Sequence, residues 1–357
     1  MFDEETFRLF ELMCGDMRLI PIPEIDAISD VVSVAKMGSP PGGDGKAKAR
    51  GYTVDRTMFR EVLLRRLEEV GLISYGKALR NYDITDSGVA AHFTDGTTAS
   101  GTLIIGADGA HSVVRKQYLP DHKHEDTQGR CTYGKTHITP ELLRVLNPSV
   151  TKGMSAVKDR SRDSVMTMVL EPVIFSARDQ AAEAGYECPP DYLYWVLACH
   201  QDVMNTPNGQ HGIPRLSAIE CEALALKPIS AWHPSTRCIV EHQEPNQTSL
   251  LPIFSCPPSG LSPWKPSAHV TLLGDAIHLT GPSGSGAITA LKDAGLLCRL
   301  LVEKGVSEET IAEYETTMRE YAGQTLSLSW KIWRTVFGAT ERDRNIGEIM
   351  MELRSKR

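Results

Sequence analysis

Two stretches of this chain hold residues whose types and spacing suit ligand chemistry. In the second half, Gly274, Asp275 and Ala276 are followed by His278, Pro282, Gly284, Gly286 and Ala287. Asp275 offers a carboxylate that can accept hydrogen bonds from sugar-type hydroxyls. Pro282, Gly284 and Gly286 shape a loop in which a ligand can touch the backbone, because glycine has no Cβ to hold it off. In the first half, Asp108 and Gly109 are followed by Ser112 and Arg115. Gly109 allows a tight turn and the same close approach. Ser112 and Arg115 fall on the next helical turn, where they can tie the loop down or meet a pyridine-nucleotide phosphate.

Each stretch closes a short apolar run. Thr102 to Ala107 and Val270 to Leu273 have the continuous apolar character of strands covered on both faces. From Ala287 the positions Ile288, Leu291, Ala294 and Leu297 recur at helical spacing. A strand that feeds a glycine loop and then a helix aims free N–H groups and the positive dipole end at whatever sits there. Carboxyl ends of strands are also where open α/β sheets bind ligands. Taken singly, each stretch also fits a plain strand–loop–helix. A capped helix start explains Asp108 and Ser112 but gives no reason for Arg115.

The rest of the chain frames these two units. Thr6 to Met13 suggests a short helix, and residues 38–45 a flexible Gly/Pro loop. Asp55 is a plausible N-cap for a helix whose face is Phe59, Val62, Leu63, Leu67 and Val70, with Arg56 in its first turn. Strands are expected at 72–75, 78–84 and 89–93, with Asp95-Gly96 turning into 97–100. Residues 120–268 are β-rich, with strands at 130–138, 156–159, 164–170, 192–199 and 250–254. A helix is expected at 216–226 and a turn at Trp232-His233-Pro234. Met166, Met168, Tyr192, Tyr194, Trp195 and Phe254 could line a cavity, although such side chains on strands are more often core. Helices at 308–322, 326–337 and 345–353 close the chain, with Trp330 and Trp333 expected to pack against the first domain and Arg342 and Asp343 solvated.

Composition narrows the class. The chain has 357 residues, enough for two domains, and a net charge of -7, which argues against nucleic acid as the main partner. No apolar run reaches the roughly 20 residues of a membrane helix. The opening Met1-Phe2-Asp3-Glu4-Glu5 lacks the pattern of a secretory signal, and Ser355-Lys356-Arg357 is a poor peroxisomal ending. The 8 cysteines are scattered without a Cys-x-x-Cys and the 11 histidines show no ligand spacing. That suits a reducing, cytoplasmic setting and argues against a zinc site.

Together the two motifs resemble those of the class A flavoprotein monooxygenases, the PHBH-like aromatic-hydroxylase group, of a kind found in fungal metabolite pathways. The resemblance covers roughly residues 52–340. It implies an α/β fold, with a Rossmann-like FAD/NAD(P)-binding domain, an inserted antiparallel β-sheet substrate domain and C-terminal helices. Residues 1–120 and 269–357 would form the flavin domain and 121–268 the substrate domain. The resemblance implies that Asp275 holds the ribityl chain of FAD. Pro282, Gly284, Gly286 and Ala287 would lie beside the reactive ring, with the helix start facing its pyrimidine side. Gly274, Ala276, His278, Ala290 and Asp293 fit the pattern. Asp108 and Gly109 belong to the family's Asp-Gly-x-x-Ser-x-x-Arg motif, and Arg56 matches an Arg that reaches the cofactor. Two features depart: the interval from Pro282 to Gly286 is one residue short, and Ile288 stands where Asn is common.

The implied activity reduces FAD with NADPH or NADH and uses O₂ to hydroxylate or epoxidise a small organic substrate, aromatic or polyketide/terpenoid-like. The flavin does the chemistry while the protein orients and excludes water, so no catalytic acid or base is assigned, and no metal. A complete flavin domain of this family opens with a strand, a Gly-x-Gly-x-x-Gly turn and a helix. No such unit occurs in the first 100 residues. The expectation is a flavin domain incomplete at its N-terminal end that holds FAD weakly. The alternative is a catalytically inactive flavin-fold interaction module.

Overall fold

The computed structural model describes residues 3–16, 22–34, 52–162, 164–204 and 216–336. The loop expected at 38–45, the helix at 345–353, and Arg342 and Asp343 lie outside the described residues. In chain order the elements are α1 (Glu4–Leu12), β1 (Cys14–Asp16), β2 (Pro23–Asp26), β3 (Val32–Val34), β4 (Tyr52–Val54), α2 (Arg56–Glu69), β5 (Leu79–Thr85), β6 (Gly88–Phe93), β7 (Thr98–Gly101), β8 (Ile104–Gly106) and α3 (Val113–Tyr118). Then come β9 (Glu125–His137), α4 (Pro140–Val145), β10 (Ser155–Asp159), β11 (Met166–Val173), α5 (Arg178–Glu183), β12 (Tyr192–His200), α6 (Ala218–Leu226), α7 (Pro234–Glu241), β13 (Ser249–Ser255), β14 (Val270–Leu272), α8 (Gly286–Lys304) and α9 (Glu308–Val336). They group into two compact units. One draws on Met1–Leu72, Gln128–Pro252 and Arg334–Arg357, the other on Ile73–Thr127 and Ile253–Trp333.

The first unit is built on a seven-stranded sheet, in the order β13-β9-β12-β11-β10-β2-β3. Its core strands β9, β12, β11 and β10 are antiparallel neighbours, and β2 joins β10 in parallel. Met166, Met168, Leu170, Leu193, Trp195 and Leu197 are fully buried in its main core, where α6 and α7 also pack. Each such side chain contributes about 1.5–3 kcal/mol by leaving water. Trp195 pairs with Gly134 across the ladder, and a Cβ on Gly134 would fall 2.1 Å from the indole. Only glycine there lets the ring lie across β9. Met166, Met168, Tyr192 and Trp195 are therefore core, while Phe254 is partly exposed.

The second unit carries a β5-β6-β7 meander and a separate parallel pair, β14-β8. The Asp95-Gly96 turn closes the second hairpin, with Gly96 at φ 85°. The parallel pair aligns Val270 with Ile104 and Leu272 with Gly106. Its core joins Val270, Leu272, Ala276 and Ile277 to Leu297 and Leu300 of α8 and to Ile311, Tyr314, Met318 and Ala322 of α9.

Several expectations are corrected. Residues 72–75 form no strand, because Leu72 and Tyr75 are exposed and Gly71 and Gly76 turn the chain at positive φ. Leu67 and Val70 are likewise exposed, so α2 buries only Met58 and Val62. The expected turn at Trp232-His233-Pro234 opens α7, with His233 as N-cap and Pro234 at the first helical position. The two helices expected after 308 are one helix of 29 residues. Gly323 does not break it, and its backbone passes in ordinary van der Waals contact with Gly260.

Candidate functional site

The two motifs meet in the second unit because their strands are neighbours. β8 and β14 run parallel, so Asp108 and Asp275 both follow carboxyl ends on the same side. Gly106 is the point of closest approach. A Cβ on it would lie 2.5 Å from Leu272 Cδ2 and 2.8 Å from Val114 Cβ. Glycine at this position lets β14 and α3 close onto β8 together.

Beyond β8 the turn is fixed by its own side chains. Gly109 takes φ 75°, where glycine costs least. The Asp108 carboxylate accepts from Val113 N at 2.7 Å, and Ser112 Oγ accepts from Arg115 N at 2.9 Å, capping α3. Arg115 is buried. Its Nη1 donates to Ala276 O and its Nη2 to Ala110 O, both at 2.9 Å. One guanidinium thus ties the first motif to the second. Of the two roles open to Arg115 in the sequence, it performs the tying one.

Past β14, Gly274 turns the chain with φ 60°, and its carbonyl accepts from Ile277 and His278. Beneath the turn lies a buried polar network. The Asp293 carboxylate accepts from Gly274 N at 2.8 Å, His278 Nε2 at 2.6 Å and Tyr321 OH at 2.6 Å. Asp293 and His278 are wholly buried. Sequence reasoning put Ile288, Leu291, Ala294 and Leu297 on the inner face of α8. The helix buries Leu297 as expected, but its other buried positions are Thr289, Asp293 and Leu300, and Ile288 is exposed. A polar anchor, Asp293, decides the rotation.

The loop from Leu279 to Ser285 is held from α9. Ser329 Oγ donates to Gly281 O, Trp330 Nε1 donates to Cys256 O, and the Trp330 and Trp333 rings stack at 5.3 Å. A Cβ on Gly281 would meet Trp333 at 2.4 Å. Ahead of this platform Asp275, Pro282, Gly284 and Ala287 are all exposed. Gly284 adopts φ 73° and a Cβ there would meet nothing within 4 Å. The α8 N-terminus has no side-chain cap, so its first N–H groups are left for another acceptor. Asp275 Oδ1 lies 3.9 Å from the Cβ position of Gly286. A glycine cradle, an exposed carboxylate and an uncapped helix start suit a ligand with sugar-type hydroxyls and a polar, acceptor-bearing ring.

Arg56 sits in the first unit at the head of α2, where it is exposed. Its neighbour Asp55 is the buried member. Asp55 Oδ1 accepts from Thr57 N and Met58 N, and Oδ2 from Lys135 Nζ at 3.0 Å and Tyr192 OH at 2.6 Å. Burial alone would raise its pKa, but the Tyr192 and Lys135 hydrogen bonds hold the carboxyl below its ordinary value. Sequence reasoning saw the cap but had no signal for Lys135 or Tyr192, which come from distant strands. It also found no metal-ligand spacing, whereas His122, His124 and Cys256 come together in the second unit.

No family model matches the chain. It is 35% identical over 372 residues to the dual O-methyltransferase/FAD-dependent monooxygenase elcB of Phaeosphaeria nodorum, covering 95% of this chain and 39% of that protein. It is 26% identical over 306 residues to 6-hydroxynicotinate 3-monooxygenase of Bordetella bronchiseptica, covering 84% of this chain and 71% of that protein. A solved structure described as a putative FAD containing monooxygenase from Photorhabdus luminescens superposes with a TM-score of 0.75 at 25% identity, covering 94% of this chain and 84% of that one. The chain thus spans about two fifths of the length of the first of these relatives.

Proposed function

We propose that this chain, a sequence relative of the FAD-dependent monooxygenases that shares their fold, holds FAD at the uncapped start of α8 and supports oxygen transfer to a small organic molecule. The observation that carries the reading is the Arg115 bridge. It locks the two motif loops side by side at the ends of two parallel strands. On this reading Asp275 accepts from the ribityl hydroxyls, and Pro282, Gly284, Gly286 and Ala287 give the isoalloxazine ring its backbone bed. The first N–H groups of α8 meet the pyrimidine carbonyl side. Asp108 and Gly109 shape the neighbouring loop, and Arg56 joins through its sequence motif alone.

When bound, FAD reduced by NADPH or NADH supplies the electrons that activate O₂. The protein's part is placement. Ser112, Arg115, Asp293, His278 and Tyr321 fix the loops from below, and the buried Trp333 face keeps water from behind Gly281. Residues 121–268 are proposed as the substrate domain, with flanking residues 1–120 and 269–357 as flavin domain. The substrate is proposed to be an aromatic or similarly flat molecule, in line with the 6-hydroxynicotinate named for one relative. An inactive interaction module gains no support from relatives named as enzymes.

The test is a fluorescence titration of the full chain with FAD. Saturable binding is expected, with Asp275→Ala raising Kd about 10-fold, the worth of a charge-assisted hydrogen bond. Equal affinity in the variant would remove Asp275 from the site, and no saturable binding would overturn the reading.

A further inference from the structure

We propose that His122, His124 and Cys256 form a binding site for one zinc-class divalent transition-metal ion. The histidines lie in the connection between α3 and β9, and Cys256 directly follows β13. Far apart in sequence, these residues bring one ligand atom each to within 4.8 Å of one another. His122 Nε2 stands 3.5 Å from Cys256 Sγ. Zinc bonds of about 2.3 Å to sulfur and 2.0–2.1 Å to nitrogen at a tetrahedral angle put S and N roughly 3.5 Å apart. That pair is therefore already at ligand spacing. The His124 nitrogen lies within 4.8 Å of the other two ligand atoms, against the roughly 3.4–3.5 Å that a tetrahedral zinc ion asks for.

His124 Nε2 is buried with no hydrogen-bond partner. The two imidazoles meet edge to face, with centroids 5.7 Å apart at 89°, so neither ring shields the other's nitrogens by stacking. Cys256 is fully buried, and its sulfur has long contacts to His122 at 3.5 Å and to Ile277 O at 3.4 Å and a backbone hydrogen bond with Leu279. A metal gives the sulfur a stronger partner. Its binding displaces the thiol proton to solvent and leaves a metal-bound thiolate. The charged groups that act on Cys256 are Arg115 on one side and Asp275 and Glu125 on the other, and His111 acts on His124. Arg115 acts on all three ligand residues and the two carboxylates offset it only at Cys256, so the thiolate itself supplies the negative charge that holds a cation.

One thiolate with two imidazoles is a donor set that selects zinc-like ions over magnesium or calcium. Three protein ligands leave a fourth position for water. The ion would clamp the segment leaving α3, the helix that carries Arg115, to the chain entering the second motif. It is tested without flavin.

The experiment is cobalt titration of the full chain after dialysis against a chelator, with zinc as competitor. About one Co²⁺ per chain is expected, with a thiolate-to-cobalt charge-transfer band and tetrahedral ligand-field bands, all abolished by zinc. Cys256→Ser should erase the thiolate band. His124→Gln, at a half-buried site that tolerates the change, should weaken binding at least about 10-fold. Cys298→Ser, at the exposed cysteine, should change nothing. Absence of uptake, uptake without a thiolate band, or a cobalt affinity unchanged by His124→Gln would overturn the site. Should Cys256→Ser fail to fold, the thiolate band and His124→Gln decide alone.

Discussion

Replacing Asp293 with alanine tests the network that anchors the second motif. The wholly buried carboxylate accepts from Gly274 N, His278 Nε2 and Tyr321 OH at 2.8, 2.6 and 2.6 Å. Alanine leaves two buried donors, Gly274 N and His278 Nε2, and the half-buried Tyr321 OH without an acceptor. Each stranded donor costs about 1–3 kcal/mol, and water entering the vacated volume recovers part of the sum. The expected loss is about 3–5 kcal/mol, the range for breaking a buried charged partnership. Tyr321→Phe removes one donor and leaves the carboxylate two, for a loss of about 1–2 kcal/mol. Because both variants delete the same bond, the double variant should fall short of the summed losses by about 1 kcal/mol or more. Urea unfolding followed by tryptophan fluorescence measures all three. A loss under about 1 kcal/mol for Asp293→Ala, or strict additivity of the pair, would show that the network does not hold the Gly274 turn.

Further outcomes follow from other sites. Glu315 is buried against Thr271 Oγ1 at 3.0 Å, and burial pushes its carboxyl up to about 7. The folded protein keeps that proton after the unfolded chain has lost it, so this contribution is full below pH of about 4.5 and disappears as pH rises to about 7. Its size is at most about 3 kcal/mol. Glu315→Gln should remove that pH dependence, and a wild-type-minus-variant stability difference flat between these limits would refute it. Gly106→Ala places a methyl 2.5 Å from Leu272 Cδ2 and should cost about 1–3 kcal/mol by overpacking; an unchanged Tm would contradict the β8–β14 register. Asp55→Ala should cost about 2 kcal/mol, since it removes the α2 cap and the acceptor for Lys135 and Tyr192. Asp55→Asn, a good cap, should cost less, and thermal melts by circular dichroism separate the two.

Much of the site was legible because its signals are local. A continuous apolar run, a Gly/Pro loop and a helical period specify β14 and α8 without outside help, and the same holds for β8 and α3. What escaped the sequence depends on distant partners. The rotation of α8 is set by Asp293 meeting His278 and Tyr321, so a hydrophobic pattern alone points one residue off, to Ile288. The gap expected between residues 322 and 326 does not occur, and α9 runs through Gly323 without interruption. Pro234 read as a turn, although proline after a capping residue equally opens a helix, as it does in α7. Exposed Leu72 and Tyr75 had strand-like composition with no sheet edge to join. His122, His124 and Cys256 have no motif spacing, and only the fold of the second unit brings them together.

The most direct measurement is hydrogen exchange of the full chain with and without saturating FAD, resolved by peptide. The account expects slower exchange in peptides covering 108–115 and 274–290, where the Arg115 bridge joins the two motifs at the start of α8. Protection elsewhere with these two segments unchanged would contradict the proposed flavin site.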